Sequence, residues 1–238
     1  MEGARSLVIQ LLVLISSGIF VKTVSVIMSH YIEKTRFSSM VKHRKRYVIK
    51  NLTKSIVLAF ITLPAIWIGI QLLFDHWNST VIISIGSVYA VGDIMALFSM
   101  FDRLPLSTKL HHFTVALIET ISIFTDYSNF SIMRGIVVYA IMSCPTFLVN
   151  LCLALRYMMD RGDARLVLLM RLALVNYSVC LSINWIYQIC FLFKLTTFTG
   201  IFYLLVLSSL INDDIILLKF LWNYGEPKKN LHVSLSLQ

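Results

Sequence analysis

Charged residues are scarce in this sequence. They account for 14% of its 238 residues, whereas they make up about a quarter of a soluble domain. Hydrophobic residues account for 58%, and the mean hydropathy is +0.79. A chain of this length has room for roughly six to eight membrane crossings and little else. The composition therefore excludes a soluble catalytic domain and indicates a membrane protein.

The sequence also lacks the cysteine spacing of a metal site or of a disulfide framework. Its four cysteines are Cys144, Cys152, Cys180 and Cys190, and all of them lie inside apolar runs. In that setting cysteine behaves as a small buried apolar residue. The cysteines are therefore not expected to bind a cofactor.

Seven apolar runs approach or exceed the length of about 20 residues that a helix needs to cross a bilayer. They lack the polar alternation of barrel strands, and backbone polar groups must be paired within lipid, so the runs are predicted to be helices. We predict an all-α, polytopic transmembrane bundle of about seven helices, forming a single domain over 1–238 with a loose polar tail at 226–238. Pro145 is expected to kink the fifth helix. The predicted spans are 6–28, 53–74, 79–101, 110–125, 130–158, 166–193 and 195–224.

The distribution of positive charge predicts how the chain is oriented, because Lys and Arg accumulate in cytosolic loops. The net charge of +9 lies in short segments between the apolar runs, which favours a topological role over binding to nucleic acid. The connections at 75–78 and 126–129 carry no Lys or Arg. The amino terminus is therefore predicted to be lumenal and the carboxyl terminus cytosolic, with the first run retained as a helix. The connection between the first two spans carries Lys34, Arg36, Lys42, Arg44, Lys45, Arg46 and Lys50.

Ionisable side chains inside the predicted spans are the candidates for function. Each costs about 2.5 to 3.5 kcal/mol to insert at the centre of a membrane helix, so it needs a partner, a wet cavity or a role. These residues are Lys22, Asp93, His111, His112, Glu119, Arg134, Arg171, Asp213, Asp214 and Lys219.

Several of these side chains are predicted to lie at similar depth. At 1.5 Å of rise per residue, Asp93 and Asp214 lie about 12 to 15 Å below the predicted cytosolic boundary. His111, His112 and Arg171 lie closer to the same boundary. We therefore predict a polar cavity that is open to the cytosolic side, with Arg134 near the lumenal face.

Structural roles are the alternative for the carboxylates. Asp93 then pairs with Arg171 or Lys22, and such a pair only holds helices together. Asp213 and Asp214 then line a polar seam between helices. The sequence alone does not choose between these roles and a functional one.

The fourth predicted helix has a polar face. Thr108, His112, Glu119 and Ser122 recur at helical spacing, and His111 is rotated from them by about 100°. Two adjacent histidines are therefore not expected to face one point. Zinc usually takes three or four protein ligands, so no metal site is predicted.

Two segments resemble the TLC-domain family, which includes the translocating-chain-associating proteins, the longevity-assurance ceramide synthases and the ceroid-lipofuscinosis membrane protein. They are 89–93, which reads Tyr-Ala-Val-Gly-Asp, and 109–118, which reads Lys-Leu-His-His-Phe-Thr-Val-Ala-Leu-Ile. The resemblance covers about 47–224 and implies a helical bundle, in the endoplasmic reticulum or a related membrane, that is concerned with lipids. Further matches are Asn129, Arg134, Gly135 and the Ser-Cys-Pro sequence at 143–145.

The resemblance also implies a chemistry for the histidine pair. In ceramide synthases the paired histidines belong to the site that joins a fatty acyl group from acyl-CoA to a sphingoid amine. His111 and His112 would take that role here, as general base or acyl acceptor, with Asp93 orienting the nearer imidazole. The His-Asp pair expected nine residues after Arg134 is replaced by Ser and Cys at 143–144, and no carboxylate follows.

Whether the chain is an enzyme is therefore left open. We expect a role in membrane sphingolipid or phospholipid homeostasis, with membrane lipids as partners and without a cofactor. The alternative is a lipid N-acyltransferase with acyl-CoA as co-substrate. A retinal protein is not favoured, because Lys219 and Asp214 lie on different faces of the last helix. Candidate catalytic residues are His111, His112 and Asp93, and candidate ligand-binding residues are Glu119, Arg171, Asp213 and Asp214.

Overall fold

The computed structural model describes residues 2–35, 37–101, 104 and 106–225, so the predicted polar tail lies outside the described residues. Within them all regular secondary structure is helical, as predicted from the sequence. A single 3-10 turn, Cys144–Thr146, separates the fifth and sixth helices. The helices are α1 (Glu2–Lys34), α2 (Lys42–Leu73), α3 (Ser79–Met100), α4 (Leu106–Ile123), α5 (Ile132–Ser143), α6 (Phe147–Leu155), α7 (Ala164–Leu192) and α8 (Thr197–Gly225).

The helices form a multi-pass membrane bundle. In the described part of the chain, six segments are long and apolar enough to cross a membrane, and α5 and α6 together make one of them. The fourth predicted crossing corresponds to α4, which is not among these six segments of the described chain. It has 18 residues and is therefore about 27 Å long. It packs against α3 and α8. Large apolar side chains such as Phe60 and Leu63 of α2 and Phe193 after α7 are exposed, as expected where helices face lipid.

The fifth predicted crossing is broken at Pro145. Proline has no backbone N–H, so a helix that contains it loses a hydrogen bond and leaves carbonyl groups to be paired elsewhere. Here Asn176 of α7 donates to the Pro145 carbonyl at 2.7 Å, and Thr62 of α2 donates to the Cys144 carbonyl at 3.1 Å. The expected kink is confirmed, and side chains from two other helices satisfy its backbone.

The connections of the bundle sort into two ends, and one of them is strongly basic. There the end of α1 packs against the start of α2 and the end of α6, through Ile32, Val48 and Ala154. Arg156, just after α6, lies over the rings of Tyr47 of α2 and Phe220 of α8, at 5.3 and 4.9 Å. We call this end, which also carries the positive charges of 42–50, the basic end.

The opposite end is held together by Arg134 at the start of α5. Its side chain donates to the carbonyls of Tyr127 and Ser128, at 2.9 and 2.8 Å, and lies 4.2 Å from the ring centre of Trp77. Hydrogen bonds from the backbone and hydroxyl of Ser128 hold the pKa of Asp126 below its usual range. The sequence placed Arg134 at this end, and the structure agrees.

A buried polar network lies near the opposite end, where α5, α7 and α8 meet. Gln188 of α7 donates to the Gly135 carbonyl at 3.1 Å and to Asn184 at 2.8 Å, and it accepts a bond from the Tyr203 hydroxyl. Gly135 is packed so tightly that a methyl group in its place would overlap the Tyr203 hydroxyl and the ring of Phe191. The three helices therefore approach closely only because residue 135 has no side chain.

Candidate functional site

The centre of the candidate site is Asp93, on α3. Its side chain is only 1% exposed, and Lys54 of α2 donates to its Oδ1 at 2.6 Å. A buried carboxylate needs such a partner, because an isolated charge in a low-dielectric interior is costly. The partner of Asp93 is therefore Lys54, and the alternative pairing with Arg171 or Lys22 is wrong.

Both histidines at the start of α4 reach the same carboxylate. The His112 Nδ1 atom lies 3.2 Å from Asp93 Oδ1, and the His111 Nε2 atom lies 3.9 Å from Asp93 Oδ2. The two ring centroids are 5.6 Å apart. The expectation that adjacent histidines cannot face one point is wrong, because Asp93 lies between the rings and offers each of them a different oxygen.

Three buried polar atoms of this group lack a hydrogen-bond partner among the described residues. They are Asp93 Oδ2, His111 Nδ1 and His112 Nδ1. The 3.2 Å approach of His112 to Asp93 is an ion-pair distance without the angles of a hydrogen bond. Leaving a buried polar atom unpaired costs about 1 to 3 kcal/mol, so the group is not arranged for stability alone.

Helix α8 adds a second carboxylate to the group. Asp213 Oδ2 lies 3.8 Å from His111 Nδ1. Lys54, His111 and Asp213 have side chains 26%, 15% and 20% exposed, whereas Asp93 is almost fully covered. A ligand from outside the bundle would therefore reach the group by passing these three side chains. We call Lys54, Asp93, His111, His112 and Asp213 the Asp93 cluster.

Asp214, the neighbour of Asp213, faces different partners. Its carboxylate accepts hydrogen bonds from the hydroxyls of Tyr139 on α5 and Tyr177 on α7, the latter at 2.7 Å. It thereby ties three helices together. This arrangement fits the polar seam that the sequence offered as the structural alternative for Asp214, while Asp213 turns toward His111.

Glu119 is buried but lies apart from the Asp93 cluster. Ser87 of α3 donates to its Oε1 at 2.5 Å, and its position seven residues after His112 places it about 10 Å further along α4. His112, Glu119 and Ser122 are all buried. The polar face predicted for this helix therefore points into the bundle.

Three other ionisable residues predicted within spans stay outside the cluster. Arg171 of α7, Lys22 of α1 and Lys219 of α8 are exposed. Arg171 was a candidate ligand-binding residue, and the structure does not bring it to Asp93. Lys54 was missed, although it lies one residue inside the second predicted span, near the same boundary as Asp93. The signal that could have identified Lys54 is its position inside the predicted span.

Two cavities in the described part of the bundle lie away from the Asp93 cluster. One of about 320 Å³ is near the opposite end, lined by residues that include Trp67, Gln71 and Trp77. Another of about 20 Å³ lies between α2, α3 and α5, beside Tyr89 and Cys144. Neither is lined by Asp93 or by the two histidines. The polar cavity predicted at the site is therefore not one of these two.

Comparison with family models, curated proteins and solved structures gives no significant match to this chain. The resemblance to TLC-domain proteins thus rests on the motifs themselves. Function must be inferred from the geometry of the Asp93 cluster.

That geometry suits two kinds of chemistry. An imidazole held beside a buried carboxylate is oriented by it, as in many acid–base sites. His111, which is the more exposed of the pair, is placed to touch a ligand that enters past Asp213. Imidazole nitrogens and carboxylate oxygens are also ligands for divalent metals.

Proposed function

We propose that this membrane protein acts in membrane lipid homeostasis by binding a lipid head group at the Asp93 cluster. The observation that carries the proposal is the convergence of five ionisable side chains from α2, α3, α4 and α8 on one part-exposed point inside the bundle. Each such group is costly at membrane depth. A single ion pair would suffice to join two helices, so the additional histidines and the second carboxylate favour a ligand.

The charge of the cluster favours a lipid that carries an amine. With both imidazoles neutral, the carboxylates of Asp93 and Asp213 outnumber the ammonium of Lys54 by one. Asp93 Oδ2 has no donor among the described residues. An amine or hydroxyl of a sphingolipid or phospholipid head group supplies such a donor, and its chains can lie along the exposed apolar faces of the bundle.

A second candidate function is favoured by the contact between His112 and Asp93. A lipid N-acyltransferase needs a base to remove a proton from the attacking amine, and imidazole serves that role near neutral pH. In such a reaction the amine nitrogen attacks the thioester carbonyl of acyl-CoA and its proton passes to a histidine. The carbon–sulfur bond then breaks, and the histidine returns the proton to the sulfur, so that coenzyme A leaves as a thiol and the amide is formed. His111 and His112 would be the catalytic residues, with Asp93 positioning them.

Purified protein with its bound lipids distinguishes these functions. We expect mass spectrometry of the wild type in detergent to detect an amine-bearing lipid, and we expect the bound amount to fall at least tenfold in His111→Gln and in Asp213→Asn. The control is His30→Gln, which changes an exposed histidine of α1. Equal lipid content in all four proteins would contradict head-group binding at the Asp93 cluster.

The same preparations, together with His112→Gln, test acyl transfer. Acyl-CoA and a panel of lipid amines are added, and products are measured by mass spectrometry. Product that is formed by the wild type and by His30→Gln, but not by His112→Gln, would establish the acyltransferase. Lipid binding without product would assign the chain to non-enzymatic lipid homeostasis.

The cytosolic location of the basic end and residence in the endoplasmic reticulum are part of the same proposal, supported by the positive charges of 42–50. A glycosylation acceptor fused to the amino terminus is expected to be modified in cells, and one fused to the carboxyl terminus is not. Mobility on gels before and after deglycosylation measures this. Modification of the carboxyl-terminal fusion would reverse the orientation.

A further inference from the structure

Three side chains of the Asp93 cluster present ligand atoms of the kind that bind zinc. A carboxylate oxygen of Asp93 and one ring nitrogen from each of His111 and His112 all lie within 4.8 Å of one another. Two of these residues are buried and His111 is nearly so. A site with three protein ligands of this type leaves one position for water or another ligand.

The distances are close to those around a tetrahedral ion. With bonds of about 2.0 to 2.2 Å, neighbouring ligand atoms around zinc are separated by about 3.3 to 3.6 Å. The observed separations between His112 Nδ1 and Asp93 Oδ1, and between His111 Nε2 and Asp93 Oδ2, are 3.2 and 3.9 Å. The two separations involve different oxygens of Asp93, and the three atoms that would bind one ion lie within 4.8 Å of one another, so side-chain rotations are needed to bring them around a single point.

The unpaired atoms point to the same ligand. Asp93 Oδ2 and His112 Nδ1 are buried without a hydrogen-bond partner in the described part of the chain. Asp93 itself is 1% exposed. A divalent ion placed between these atoms would satisfy both.

Asp213 supports the orientation that His111 would need. A histidine that binds a metal through one nitrogen usually donates its other ring N–H to a carboxylate or carbonyl. Here Nδ1 of His111 faces Asp213 Oδ2 at 3.8 Å, and Nε2 faces Asp93. The ring is thus held between one carboxylate on each side.

Lys54 is the group that opposes a metal. Its ammonium lies 2.6 Å from Asp93 Oδ1 and already neutralises the carboxylate. A cation that arrives at the other oxygen, Oδ2, competes with Lys54 for the negative charge of the same carboxylate. Because Lys54 is 26% exposed, its long side chain can move its charge outward when Asp93 binds a metal.

We infer that Asp93, His111 and His112 form a binding site for a divalent transition metal such as Zn²⁺, and that Lys54 competes with the metal for Asp93. The inference goes beyond lipid binding and does not depend on it. It also predicts a property that a purely structural cluster would not have: the group should bind the metal more tightly when Lys54 is removed.

Zinc titration of the full chain in detergent, after treatment with EDTA, tests the site. Calorimetry is expected to show one equivalent bound by the wild type and at least tenfold weaker binding by the double variant His111→Ala/His112→Ala. The matched control is His30→Ala/His43→Ala, which removes two exposed histidines and should bind as the wild type does. Equal binding by both double variants would overturn the site.

Lys54→Met is the second and more selective variant. Removal of the competing ammonium is expected to raise the zinc affinity at least tenfold, and added zinc should then raise the melting temperature of this variant more than that of the wild type. A zinc affinity that is not raised by Lys54→Met would overturn the competition. Since this test rests on a gain, it stays decisive even where the histidine variants fold poorly.

Discussion

Replacement of Lys54 by methionine, in the absence of zinc, is expected to destabilise the folded protein by about 3 to 5 kcal/mol. The variant leaves the carboxylate of Asp93 buried without the ammonium that now lies 2.6 Å away. The histidines cannot fully replace it, because neither forms a hydrogen bond to Asp93 with good geometry. The free energy of unfolding in mixed micelles, measured with EDTA present, gives the loss directly.

A double variant separates this charge effect from lost packing. Lys54→Met/Asp93→Leu removes both charges and fills the space with apolar atoms, so most of the stability should return. Asp93→Leu alone should cost less than Lys54→Met, because the part-exposed lysine can extend toward water. Lys22→Met, at an exposed lysine of α1, is the control. Additive losses in the double variant would show that burial of an unpaired charge is not the cause.

A single methyl group at Gly135 is expected to have the second large effect. Gly135→Ala should cost the fold about 1 to 3 kcal/mol, because the added carbon would lie 2.7 Å from Cε1 of the Phe191 ring and would overlap the hydroxyl of Tyr203. Relief of these contacts also moves the carbonyl that accepts a bond from Gln188. We expect the melting temperature of the variant, measured in detergent, to be lower than that of the wild type.

Gly92 provides a matched control for this substitution. It also lies within a helix, α3, but a Cβ atom there meets nothing within 4 Å. Gly92→Ala should therefore leave the melting temperature unchanged or raise it, since alanine favours a helix over glycine. Tyr203→Phe should restore part of the loss caused by Gly135→Ala. Equal melting temperatures for the two alanine variants would mean that α5 can move aside without cost.

Much of the fold could be predicted from the sequence, because hydropathy reports which segments face lipid. The boundaries were less accurate. α2 begins at Lys42 rather than at 53, since a helix continues through charged residues beyond the apolar run. α4 is Leu106–Ile123 rather than 110–125 for a similar reason. The kink at Pro145 was predictable because proline lacks the donor that a continuous helix needs.

The candidate site was predictable in part. Asp93, His111 and His112 could be identified because ionisable residues in a span are unusual. The direction in which the two histidine side chains point could not be predicted, because it depends on the neighbouring helices as well as on the period of the helix that carries them. Lys54 was missed because it lies at the very start of the second predicted span and was counted neither with the basic connection nor with the ionisable residues of the spans. Arg171 was predicted at a depth similar to that of the site, but its side chain is exposed and is not brought to Asp93.

The polar inner face of α4 bears on how the protein is made. This helix is short, and it carries His111, His112 and Glu119 into the bundle, so on its own it is a poor substrate for insertion into lipid. Its polar partners Asp93 and Ser87 are on α3, which leaves the ribosome first. We expect α4 to enter the bilayer together with α3 as a hairpin during synthesis. Substitutions in the Asp93 cluster would then lower the yield of correctly inserted chains.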